Sequence, residues 1–377
     1  MKIFFFSSLF FLFYHLFLYG IILQIASYFK VRKEKKDNIN LSTVTVVAAA
    51  HNEEKNIKSL LDSFIKLNYP VDLIKLIIVS DDSIDKTNQI VEDYADKYYN
   101  IKLQIQQPRN GKASAMNLIE PQLDSDIIVS TDASSFIQED SIHRLVEHFA
   151  DDKIGLVSGR MIYKQNDGNN SGEGLYWKYE SWLRKNESKL YSIIVASGCL
   201  FAIRRKLYNQ IHPSSPDDFE RTLITLKNGR KAIIEPSAIV YENLASKSSD
   251  EMVRRIRIIS TEWFAVLRNI TLLNPFKFPI ISFFLFSHKI IRWLLPILSL
   301  GILLPCLFSI SEPIFKALLI VQVIGYVSAG IELLLEKQGK SFRLFKLPGY
   351  WLAMNIASFL ALIKFIMGKQ QKTWDTT

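Results

Sequence analysis

The sequence predicts an α/β domain with a mainly parallel sheet and helices on both faces, set between membrane-spanning helices. Three observations carry that prediction. Apolar runs of strand length alternate with segments of helical periodicity over the first part of the polar region. Uncharged apolar stretches long enough to cross a bilayer occur near both ends. Polar clusters rich in carboxylates stand after successive apolar strands, where open α/β sheets bind ligands.

The chain has 377 residues, 49% of them apolar and 25 of them Phe, more than a soluble domain needs. Ile3 to Tyr28 contains no Asp, Glu, Lys or Arg. This run is too long for a signal-peptide core and no small-x-small cleavage site follows, so residues 1–29 read as a first span. The basic segment FKVRKEKK after it holds that side in the cytoplasm and puts the N-terminus outside. His15 reads as a packed residue of the span. Apolar runs return at Trp293 to Ile310, Ile314 to Leu335 and Leu347 to Met367, giving about three C-terminal spans within 291–367. Pro275 to Phe286 is shorter and broken by proline, and predicts an interfacial helix within 273–290. The basic loop EKQGKSFRLFK suits the cytoplasmic side, whereas an odd number of crossings would put the tail 368–377 outside, against its two lysines. Net charge is +9. Membrane lipid rather than nucleic acid is the expected partner of the basic residues. Cys199 and Cys306 imply no disulfide framework, in keeping with a reducing cytoplasm.

Between the membrane segments, residues 30–272 carry the α/β rhythm. TVTVVAAA is a β-branched strand ending in HNEE, and IKSLLDSFIKL after it has helical spacing. LIIVS and TNQIVEDYADKY form the next pair. KLQIQQ, the turn PRNGK and ASAMNLIEPQ form the third, and DIIVSTD is a fourth short strand. HNEE, DDSID, GK and TDASS therefore fall at the carboxyl ends of strands. Ser83, Asp85 and Thr87 taken alone are capping and turn residues, but four clusters on one edge make a binding rim.

The rim suits a nucleotide without a phosphate loop. Neither G-x-x-x-x-G-K-[ST] nor G-x-G-x-x-G is present. Carboxylates accept hydrogen bonds from a pyrimidine N–H or ribose hydroxyls and hold Mg2+ or Mn2+. Lys112 can neutralise phosphate.

The segments AAAHNEEKNI, VSDDSIDKT, NGKASAMN, VSTDASS, ASGCLFAIRR, PDDFE and RRIRI, in that order over roughly Thr43 to Ile258, resemble a membrane-bound family 2 glycosyltransferase of GT-A fold. The flanking spans resemble those of bacterial synthases of cellulose, hyaluronan and poly-N-acetylglucosamine. The resemblance implies that Glu53, Asp81 and Asp82 contact the uridine of a UDP-sugar, with Lys112 near the ribose or diphosphate. It puts Asp132 at the first acid of a D-x-D metal motif, whose second acid is Ser134 here, so a divalent cation has Asp132 and Ser134 as its implied ligands. It assigns the catalytic base to Asp218. It sets Gly198 and Cys199 beside the acceptor, and Arg257 near the diphosphate, in a segment that keeps the arginine of Q-x-x-R-W without its Gln or Trp.

Local readings compete with each of these roles. TDASS also reads as a strand-to-helix turn, PDDFE as a helix start with an acidic first turn, and SGCLFAIRR as a core strand. RRIRI, with Lys247 and Arg268, also suits a basic helix face on anionic lipid. The implied activity is inverting transfer of a sugar from a UDP-sugar to a saccharide or lipid-linked acceptor at the inner membrane. Exopolysaccharide or cell-surface glycan synthesis, with other glycan-synthesis proteins as partners, is the implied setting. A transferase that loads one sugar onto polyprenyl phosphate or a lipid-linked oligosaccharide is the alternative. A membrane protein that only senses nucleotide would call for intramembrane acids, and of these Glu332 is the main candidate.

Overall fold

The computed structural model describes residues 1–30, 41–164, 172–243 and 248–369. The chain enters through a long apolar helix, α1 (Lys2–Tyr28), which includes a π-helical turn at Tyr14–Leu18. Three β/α units follow: β1 (Val44–Ala50) and α2 (Ile57–Phe64), β2 (Ile74–Asp81) and α3 (Thr87–Ala95), β3 (Ile101–Gln106) and α4 (Lys112–Ile119). Every residue of β1 is buried, as a central strand requires. Helix α2 buries Ile57, Leu60, Leu61 and Phe64, a stripe at i, i+3, i+4 and i+7 turned to the sheet.

The second half contains β4 (Ile127–Asp132), β5 (Phe136–Ile137), α5 (Ser141–Glu147), β6 (Ile154–Lys164), α6 (Gly172–Leu190), β7 (Leu200–Arg204), α7 (Asp217–Lys227), β8 (Lys231–Asn243) and α8 (Ser248–Arg268). The eight strands form one sheet in the order β3-β2-β1-β4-β7-β6-β8-β5. Pairing is parallel from β3 through β4, then antiparallel at β4/β7, β6/β7 and β5/β8, and parallel again at β6/β8. The sheet is thus mixed, with its parallel half where the strand–helix alternation is strictest. Two reversals at β7 leave β6 and β8 running in the same sense as β4, so their carboxyl ends reach the same edge. The amino end of β7, just after Gly198 and Cys199, arrives there too, with Leu200 opposite Thr131. Separate apolar clusters fill the two faces of the sheet, one around Val46, Ile78 and Val129 and the other around Val47, Val79 and Phe201.

The membrane-side helices are α9 (Pro279–Trp293), α10 (Leu295–Phe308), α11 (Pro313–Lys337) and α12 (Lys346–Ile366). Helices α1, α11 and α12 are long and apolar enough to cross a bilayer. Helix α10 has 14 residues and rises only about 21 Å, short of a hydrocarbon core of about 30 Å. It meets α9 at a 58° bend. Pro296, two residues past the break at Leu294, has no N–H to donate and crowds the carbonyl four residues back, a sufficient cause of the bend. Most of the segment read from the sequence as an interfacial helix lies in α9. Its Ile281, Phe284, Leu285 and Trp293 are buried in a cluster with Tyr19 and Leu23 of α1, Leu183 of α6 and Phe219 of α7. His15 is packed here as well, its Nδ1 3.1 Å from the carbonyl oxygen of Ser287.

Glu332 has a structural partner. It is buried, and its Oε2 accepts the backbone N–H of Phe342 at 2.9 Å, closing the turn between α11 and α12. Gly349 of α12 leaves room for it, since a Cβ there would stand 2.8 Å from Glu332 Cγ. Gly349→Val should therefore open this hairpin at a cost of about 1–3 kcal/mol, read as a lowered thermal midpoint in detergent. An unchanged midpoint would contradict the packing described.

Candidate active site

The loops after β3, β2, β1 and β4 lie side by side because those strands are neighbours and run in parallel. The first two loops are tied together. Asn52 and Asp82 both take left-handed backbone conformations, φ 52° and 58°, which Asn and Asp tolerate better than other side chains. The backbone N–H of Asn52 donates to Ser83 Oγ at 3.1 Å, and Asn52 Oδ1 accepts from Ile84 N–H at 2.9 Å. Asp85 accepts from Thr87 N–H and from Glu54 N–H, each at 3.0 Å, and Thr87 Oγ1 accepts from Glu53 N–H at 2.8 Å. Asp85 and Thr87 thus organise the loops, as the capping reading of these residues has it. Asp82 stays half-exposed on the rim. Glu53 is half-buried, with Asn56 donating to its Oε2 at 2.8 Å. Burial pushes its carboxyl above the usual range; the Asn56 bond opposes this, and the charges of Asp132 and Asp85 add to it.

Asp81 is fully buried and serves the third loop. Its carboxylate accepts from Gln106 Nε2, from Asn110 N–H at 2.8 Å and from Gly111 N–H at 2.9 Å. Gly111, at φ 93°, turns the chain into α4 and sets Lys112 on its first turn. Lys112 Nζ pairs with Asp132 Oδ1 at the end of β4, the two side chains being 25% and 36% exposed. Burial opposes the charge on Lys112, but the carboxylates of Asp132, Asp217 and Asp218 outweigh it and hold the ammonium above its usual range. Asp132 is likewise disfavoured by burial and carried below the usual carboxylate range by Lys112.

Helix α7 opens on Asp217, Asp218 and Glu220, an acidic first turn that suits the helix dipole. Each acid has its own surroundings. Asp217 is buried, pairing with Arg221 Nε and accepting from Ser130 Oγ at 3.0 Å. Glu220 pairs with Arg268 at 2.9 Å, so Arg268 turns inward rather than toward lipid. Asp218 faces the loop before β7: a Cβ on Gly198 would lie 3.2 Å from its Oδ2. Burial pushes the Asp218 carboxyl up to about 6; Lys112 and the Phe219 N–H oppose the rise, and Glu262 and Asp217 reinforce it.

Ser134 stands near Asp132, but its hydroxyl donates to Glu242 Oε2 at 3.0 Å, and Ser135 donates to the other oxygen. Glu242, at the end of β8, is the acid that sequence reasoning missed. No motif surrounds it, and only the shared direction of β4 and β8 brings it to the rim. Asp132, Cys199 and Glu242 present ligand atoms within 4.8 Å of one another. Burial and Asp132 push the Cys199 thiol well up, so it stays protonated and is a poor ligand. Two carboxylates beside a hydroxyl fit a hard divalent cation. Burial and Asp132 also raise Glu242 to about 7, against the hydrogen bonds from Ser135 and Ser134, a crowding of acids that a cation would relieve. On α8, the charge of Arg254 acts on both Asp132 and Cys199. Arg257, the residue singled out from the sequence, is half-buried one turn further along, its carbonyl accepting from Thr261 Oγ1 at 3.0 Å. Lys247 lies outside the described residues.

Acids and a lysine gather at the carboxyl edge of this sheet, where open α/β sheets bind ligands. Residues 45–211 match the family model Glycosyl transferase family 2, and this part of the chain is a domain of that family. The chain is 28% identical over 228 residues to a probable glycosyltransferase, YdaM, of Bacillus subtilis, covering 56% of this chain and 53% of that one. It is 31% identical over 160 residues to the poly-β-1,6-N-acetyl-D-glucosamine synthase of Staphylococcus aureus, 40% of this chain and 38% of the synthase. It therefore spans about half or less of these relatives. A mannosyltransferase from Pyrobaculum calidifontis, solved with GDP-Man and Mn2+, superposes with TM-score 0.72 at 20% identity over 96% of this chain and 99% of its own. The shared fold thus extends through the membrane-side helices.

Asp85→Ala should cost about 1 kcal/mol of stability, the loss of a capping interaction, with little change in nucleotide affinity. Calorimetry showing lost affinity at unchanged stability would move Asp85 into the binding set.

Proposed function

We propose that this protein transfers a sugar, with inversion, from a UDP-sugar to a saccharide or lipid-linked acceptor at the cytoplasmic face of the inner membrane, in exopolysaccharide or cell-surface glycan synthesis. The observation that supports this reading most is the convergence at one sheet edge of the Lys112–Asp132 pair, Glu242 and a half-buried Asp218 of raised proton affinity. Glu53, Asp81 and Asp82 line the nucleotide end; Asp81 acts largely through the loop it holds. Lys112 meets the diphosphate, with Arg254 or Arg257 of α8 adding positive charge. Asp132 and Glu242, with Ser134 alongside, would hold Mg2+ or Mn2+, which when bound offsets the charge of the leaving diphosphate. Asp218 takes the proton from the acceptor hydroxyl as it attacks the anomeric carbon, and Gly198 and Cys199 bound the acceptor pocket. A base with a proton affinity near pH 6 is mostly deprotonated at neutral pH yet basic enough to accept a proton. The contact of α7 with the membrane-side helices, with the Phe219 and Trp293 rings 6.5 Å apart, favours an acceptor presented from the membrane, including a single lipid carrier.

The donor is tested by incubating membranes with labelled UDP-glucose, UDP-N-acetylglucosamine, UDP-galactose and GDP-mannose and sizing the product. Asp218→Asn should lower transfer at least 100-fold with UDP affinity nearly unchanged. In the wild type, the rate should fall as pH drops through about 6, where Asp218 takes up its proton. Near wild-type turnover in Asp218→Asn would remove Asp218 from the mechanism.

Glu242→Gln should raise the Mn2+ concentration for half-maximal activity by about 10-fold or more, and Ser134→Ala by less. The reverse order would restore Ser134 as the principal partner of Asp132.

A further inference from the structure

A second charged contact lies beside α7. The π-helical turn Leu285–Ile290 of α9 points Lys289 inward, where its Nζ pairs with Glu262 Oε1 of α8 at 2.6 Å. The residues are 8% and 5% exposed. The same ammonium lies 5.0 Å from the ring centroid of Phe219 and 5.9 Å from that of Trp293. Phe219 directly follows Asp218, and its backbone N–H donates to Asp218 Oδ1 at 2.8 Å. The Glu262–Lys289 pair therefore sits against the first turn of α7. A buried ion pair recovers its lost hydration only in part, and apolar residues of similar volume would pack as well. Packing alone is a weak reason for a glutamate and a lysine here.

We propose that Glu262 is a positioning residue for the transfer step, anchored by Lys289: the pair sets the charge beside the first turn of α7 and couples Asp218 to the helix that runs into the membrane. This rests on the reading of Asp218 as base. The groups acting on Asp218 are Lys112 from α4, Asp217 and the Phe219 N–H from its own helix, and Glu262 from α8. Lys112 and the N–H favour the carboxylate, while Glu262 and Asp217 favour the protonated acid. Glu262 differs from Asp217 in having its charge offset from the membrane side. A shift of α9 that loosens Lys289 from Glu262 would strengthen the negative field on Asp218 and raise its proton affinity.

The test is the pH dependence of kcat for the full-length chain in membranes, with whichever of the four nucleotide sugars is turned over. Glu262→Gln should shift the acidic limb to lower pH by roughly half a unit or more. Lys289→Met leaves the Glu262 charge without its partner and should shift the limb upward. The double variant Glu262→Gln/Lys289→Met should fall between the two, and it carries the test with Lys289→Met if Glu262→Gln does not fold. Limbs that stay in place, or that move in the same direction in both single variants, overturn the proposal. Asp218→Asn is measured alongside: full activity there means that the base reading has failed, whereas an inactive Asp218→Asn with unmoved limbs means that only the coupling has failed.

Discussion

The site depends first on the carboxylate of Asp81. Buried at the end of β2, it has lost its water and is compensated by the Gln106 amide and by two backbone N–H groups of the loop after β3. Those bonds fix where Gly111 turns the chain and thus where α4 begins. Lys112 on that first turn, after β3, then reaches Asp132 at the end of β4, three strands away in the sheet. A charge at one strand end is in this way used to place the opposite charge at another, through backbone hydrogen bonds rather than mobile side chains.

Around this frame the rim gathers more acid than it neutralises. Glu53 and Glu242 are both raised by burial and by the charge of Asp132, and Asp218 is raised by burial despite Lys112. Such an imbalance costs stability in the free protein and is relieved by a ligand that brings cations or hydrogen-bond donors. The pairs outside the cleft behave differently. Asp217 with Arg221 is matched and buried, Glu220 with the part-exposed Arg268 is matched, and they anchor α7 so that Asp218 alone of its first-turn acids faces the loop at Gly198.

How much of this was legible in the sequence follows from the range of the contacts. The parallel β/α units read correctly because each polar cluster follows its own strand, so HNEE, DDSID, GK and TDASS needed only local periodicity and a rule about strand ends, whereas the roles of Glu53, Asp82 and Asp132 came from the family resemblance. Asp218 and Gly198 came from the family resemblance, and the spacing of SGC and PDDFE gives no hint that they meet. Glu242 and Arg254 escaped because nothing local marks them: one ends a long strand without a motif, and the other is one of three arginines within four residues of a basic helix. Hydropathy found the apolar run at Trp293 to Ile310 but could not see that Pro296 breaks it from α9, or that α9 buries an ionic contact against α8.

We propose that the rim is a nucleotide site whose excess of acid is balanced by a cation held at Asp132 and Glu242. Calorimetric titration of UDP into the full-length protein, with and without Mn2+, tests it most directly. Weak UDP binding without the ion and at least a 10-fold gain with it are expected, matched by the same gain in Mn2+ affinity when UDP is present, as linkage requires. UDP binding that is equally tight without Mn2+, and unaltered by Asp132→Asn, would contradict it.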